Sequence, residues 1–79
     1  MNAPMMGSWL VEILAVKPFS IHGDQYYELH VRRTDDASAA SAFALKVPQH
    51  ATEGGEPRVG QRVTVQFLMG QVTAVRPES

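Results

Sequence analysis

In three separate stretches of this chain apolar and polar residues take strict turns. That is the period of a β-strand, whose side chains point alternately to opposite faces. Tyr27, Leu29 and Val31 share one face of residues 25–33, and Tyr26, Glu28, His30 and Arg32 share the other. Phe43, Leu45 and Val47 line one face of residues 41–47, and Val63, Val65 and Phe67 one face of residues 62–69. These faces are the expected core. A fifth strand is expected over residues 71–76.

The first apolar run, residues 9–17, follows a different rule. Trp9, Val11, Ile13 and Ala15 lie on one side, yet Leu10, Leu14 and Val16 lie on the other. A strand of this kind is either covered twice or bent by a bulge so that it contributes to two sheets. The connections fit short strands. His22-Gly23-Asp24 marks a turn, residues 34–40 are small and polar, and Met69-Gly70 marks a tight hairpin. Residues 48–61 hold two prolines and three glycines. They are too broken for a long helix, though a single turn fits near residues 49–53. The expected fold class is all-β, a small five-stranded barrel over residues 9–77 preceded by a flexible leader over residues 1–8.

Seventy-nine residues allow one domain with a thin core, and the absence of cysteine removes any disulfide that would reinforce it. Pairing of exposed sheet edges into a homo-oligomer is one way such a domain gains stability. Residues 1–8 carry no Lys or Arg and so lack the basic region of a signal peptide, and the apolar run is far short of the roughly 20 residues that span a bilayer. The expected setting is the cytoplasm, without membrane attachment.

Three strands, a long irregular link and a closing hairpin together resemble the OB-fold. Val59-Gly60-Gln61-Arg62-Val63-Thr64-Val65 looks like the entry to its fourth strand. The Gly-x-x-Val-x-Val signature with a following Gly-x-Val also resembles SH3-like barrels. The resemblance implies a small barrel, and any function carried over from it is analogy.

Little in the sequence points to catalysis. There is no cysteine nucleophile, and Ser8, Ser20, Ser38, Ser41 and Ser79 sit in no nucleophile turn. His22, His30 and His50 lack the short spacing of metal ligands. His22 with Asp24 reads as a turn, and Asp35-Asp36 as solvated loop. Gly54-Gly55 has neither a preceding strand nor a following Lys-Ser/Thr, so it is not a phosphate loop. A binding module without metal or cofactor is expected, not an enzyme.

Net charge is −1, so the basic footprint of many nucleic-acid binders is missing from the chain as a whole. Sorting charges by element changes this. The strands carry Lys17, Arg32, Arg33, Lys46, Arg62 and Arg76 against Glu12 and Glu28, a net of +4. The loops and tails hold Asp24, Asp35, Asp36, Glu53, Glu56 and Glu78 against Arg58, a net of −5. Single-stranded nucleic acid is held by a basic groove with rings on which bases stack. The expected site is the outer face of the second and third strands. Tyr26 and Trp9 would stack, with Phe19 a further candidate. Arg32, Arg33, Lys46 and Arg62 would meet phosphates, and His30 would donate a hydrogen bond. The competing expectation is a protein partner, motivated by the near-neutral charge, the Ala42-Ala44 strip and the two-sided first strand.

Overall fold

A computed structural model of the chain describes residues 6–34 and 42–78. They form five strands, β1 (Met6–Ile21), β2 (Asp24–Arg33), β3 (Ala42–Pro48), β4 (Arg62–Leu68) and β5 (Gln71–Pro77), with one 3-10 turn over Gln49–Ala51. All ladders are antiparallel, in a single sheet of order β3-β2-β1-β4-β5. The protein is all-β. Residues 1–5 and 35–41, including Asp35-Asp36, lie outside the described part, and β1 begins at Met6, within the stretch read as a leader.

The strands form where the alternation places them, and the expected inner faces are the core. Val11, Ile13, Leu29, Val31, Val47 and Val65 are fully enclosed. The sheet curls around them. Trp9 of β1 packs at 5.4 Å between ring centroids from Phe43 of β3 and at 4.9 Å from Phe67 of β4. The ends of the sheet order, β3 and β5, are joined by no ladder among the described residues. The link after β3 meets β5 instead, through a parallel bridge Thr52–Val75 and a 2.8 Å hydrogen bond from the Glu53 N–H to the Val75 carbonyl.

The two-sided first strand is explained by a bulge. Register shifts between Ile13, opposite Val31, and Ala15, opposite His30, leaving Leu14 as the extra residue. Before the shift Trp9, Val11 and Ile13 face inward. After it Val16 opposes the buried Leu29, while Ala15, Lys17 and Phe19 turn outward. Residues of β4's approach pin the bulge: the Ile13 N–H donates to the Gln61 carbonyl at 2.9 Å, and the Gly60 N–H donates to the Ile13 carbonyl at 2.8 Å. β1 thus pairs with β4 along its first half and with β2 along its second. It runs further than expected, through Pro18, because beyond Ile13 it has only β2 as a neighbour. A proline is tolerated where a strand keeps one free side.

The β1–β2 and β4–β5 hairpins each turn on two residues with positive φ, as two-residue turns matching the right-handed strand twist require. His22 and Gly23 have φ of 50° and 86°, and Met69 and Gly70 have 53° and 78°. Methionine is a poor occupant of that region, and the Met69 side chain is 73 % exposed, so it contributes little burial. Replacing Met69 with asparagine, which tolerates positive φ, is expected to stabilise the domain by about 0.5–1 kcal/mol. Urea denaturation checks this, and an unchanged or lower midpoint contradicts the turn assignment.

Candidate functional site

Cross-strand pairing fixes what the outer face of β1, β2 and β3 carries. In one row Phe19 opposes Tyr26, which opposes Pro48. In the next, Lys17, Glu28 and Lys46 stand side by side. His30 follows between Ala15 and Ala44, and then Arg32 between Glu12 and Ala42. On its other side Glu12 opposes Arg62 of β4.

The first two rows hold the platform. Phe19 and Tyr26 are stacked, with ring centroids 5.4 Å apart and planes 19° from parallel. The Lys46 ammonium sits 5.9 Å from the Tyr26 centroid, close enough for a cation–π attraction. Beside this pair lies a hollow of about 310 Å³ lined by Phe19, Glu28, Ala44, Leu45 and Lys46. Beyond Lys46 a larger hollow of about 430 Å³ runs towards the β4–β5 turn, with Tyr26, Pro48, Phe67, Gln71 and Val72 among its walls. The alanine at position 44 keeps the floor between the two low.

The cations differ in how far they are occupied. Arg32 is ion-paired with Glu12, and Arg76 with Glu53 at 2.9 Å. Lys46 leans over Tyr26 and has no carboxylate within ion-pair range among the described residues. The His30 Nε2 is enclosed without a hydrogen-bond partner, 3.8 Å from a Glu28 carboxylate oxygen.

Of the residues expected at the site, Tyr26, His30, Arg32 and Lys46 share the outer face, and Arg62 extends it across β1. Two others lie elsewhere. Trp9 is 7 % exposed and belongs to the core, because positions 9, 11 and 13 of β1 all face inward ahead of the bulge. Arg33 follows Arg32 by one residue and so takes the inner side, where its guanidinium lies 4.7 Å from the Trp9 ring centroid. Lys17 and Glu28 belong to the face but were not singled out as site residues. Lys17 has a sequence signal only if the parity of β1 is counted through a one-residue bulge.

Among the described residues no three His, Asp or Glu side chains gather to hold a metal ion, and no helix is long and apolar enough to cross a membrane. Compared with known protein families, curated proteins and solved structures, the chain matches none of them. What the geometry defines is a small all-β domain with an aromatic pair and cations on one outer face.

Proposed function

We propose that the domain is a non-enzymatic module that binds single-stranded nucleic acid on the outer face of β1, β2 and β3. The observation that carries this reading is the stacked Phe19–Tyr26 pair, with Lys46 at its edge and Lys17 one row away. Bases present a flat π-face to such rings, and phosphates of the same strand lie within reach of the ammonium groups. A backbone sharing β1 between β2 and β4 supports the accompanying reading of an OB-like barrel. A cysteine-free chain accords with a cytoplasmic setting.

Fluorescence anisotropy of labelled single-stranded DNA and RNA, titrated at low and moderate salt, tests the proposal. Saturable binding that weakens as salt rises is expected, because bound phosphates release counterions. Arg32→Ala/Lys46→Ala is expected to lower affinity at least tenfold: one partner change removes a free cation and the other leaves Glu12 facing the phosphates without its guanidinium. Absence of binding even at low salt refutes the reading.

One observation favours a second reading, a protein contact. Leu68 and Met69 at the β4–β5 turn are 51 % and 73 % exposed, next to the apolar walls of the larger hollow. A contact made by these side chains would persist as salt rises and would survive the Arg32/Lys46 double substitution.

A further inference from the structure

A carboxylate in the middle of a face that binds a polyanion is a cost unless it has its own task. Glu28 is in that position. Its register partners are Lys17 and Lys46, yet neither ammonium comes within ion-pair range, and among the described residues only the His30 Nε2 approaches, at 3.8 Å. The contrast with the β1 carboxylate is direct, since Glu12 is taken up by Arg32. Glu28 keeps 42 % of its side chain exposed and lines the smaller hollow together with Phe19, Ala44, Leu45 and Lys46.

The chemistry of that hollow is specific. It has an aromatic wall continuing into a stacked pair, a small-residue floor, a cation at its rim and an acceptor-only carboxylate. An ionised carboxylate accepts two parallel hydrogen bonds from a planar group that presents two adjacent donors. Unpaired bases in single strands are read on their Watson–Crick edges while stacked on aromatic side chains. Of the common bases, guanine alone offers two neighbouring donors there, N1–H and the N2 amino group. Thymine and uracil offer one donor between two carbonyl oxygens, which the carboxylate repels. Cytosine and adenine offer an amino donor next to a ring-nitrogen acceptor.

Resting on the single-strand reading of the same face, we infer that this hollow is a guanine subsite in which Glu28 accepts from the Watson–Crick edge. Phe19 and Tyr26 supply the stacking surface, and Lys46 meets the adjoining phosphate. Glu28 therefore sets base preference rather than overall affinity.

The test uses labelled oligothymidylate carrying a single central guanine, hypoxanthine, cytosine or thymine, titrated against the wild-type domain, Glu28→Gln and Glu53→Gln. In the wild type the guanine oligonucleotide is expected to bind about tenfold more tightly than all-thymine, with hypoxanthine, which lacks the N2 amino group, in between. Glu28→Gln is expected to erase that preference by weakening the guanine oligonucleotide, while all-thymine binds at least as tightly as before, since one charge that repels phosphate is gone. Glu53→Gln removes the same charge away from the face and is expected to keep the preference. Equal wild-type affinity for all four oligonucleotides, or a guanine preference that survives Glu28→Gln, overturns the subsite and leaves single-strand binding standing. Failure of every oligonucleotide to bind overturns both.

Discussion

Trp9→Ala is expected to cost about 3–5 kcal/mol of stability, the usual range for truncating a buried large aromatic side chain. Trp9 is 7 % exposed, lies between Phe43 and Phe67, and carries the Arg33 guanidinium on its ring. Its removal would open a cavity where β1, β3 and β4 meet and would dissolve both aromatic contacts. A core of this size supplies only about 3–5 kcal/mol in all, so the variant is expected to have no cooperative folded state at ambient temperature. Thermal unfolding followed by circular dichroism measures this. A variant that melts within a few degrees of wild type would show that the ring is not part of the core. Loss of oligonucleotide binding in Trp9→Ala would therefore be a loss of the fold, and says nothing about base stacking.

Tyr26→Ala is expected to behave in the opposite way. The side chain is half-buried on the outer face, and its loss removes one stacked pair, worth about 0.5–1.5 kcal/mol to the fold. Stacking of one base on an aromatic side chain contributes about 1–3 kcal/mol, so affinity for single strands should fall by roughly 5- to 150-fold while the melting transition remains. Tyr26→Phe keeps the ring and should bind nearly as wild type. Both affinities come from the same anisotropy titration. If Tyr26→Ala binds as tightly as wild type, bases do not stack there and the aromatic platform has some other purpose.

How legible all this is in the sequence depends on which strand is read. In β2, β3 and β4 the alternation is unbroken, so Leu29, Val31, Leu45, Val47, Val63 and Val65 could be assigned to the core from their spacing alone. The same rule set Tyr26, His30, Arg32 and Lys46 on the outer side. In β1 the apolar residues on both faces fit either a doubly covered strand or a bulged one, and they did not locate the bulge. A strand of aliphatic residues reads alike whether the extra residue falls at Leu10 or Leu14. The position is fixed from outside β1, by the hydrogen bonds that Gly60 and Gln61 make to Ile13. Those contacts cross nearly fifty positions of sequence, where no local pattern reaches. Trp9 was grouped with the site for its chemistry, while its parity with Val11 and Ile13 already matched the core. Arg33 was grouped by charge with Arg32, although neighbours along a strand point to opposite sides.

The bulge has a consequence for the binding face itself. Positions 9, 11, 13, 17 and 19 are all odd, and a regular β1 would send Lys17 and Phe19 to the same side as Trp9. The single extra residue reverses them, so Phe19 meets Tyr26 in the open and Lys17 stands beside Glu28. Deleting Leu14 would preserve every other side chain yet exchange the inside and outside of half a strand, driving a lysine towards the interior and taking the aromatic pair apart. An ordinary substitution at Leu14, 40 % exposed, asks much less of the chain. At this position the number of residues matters more than their identity, and a lineage of such domains would be expected to vary the letter while keeping the length.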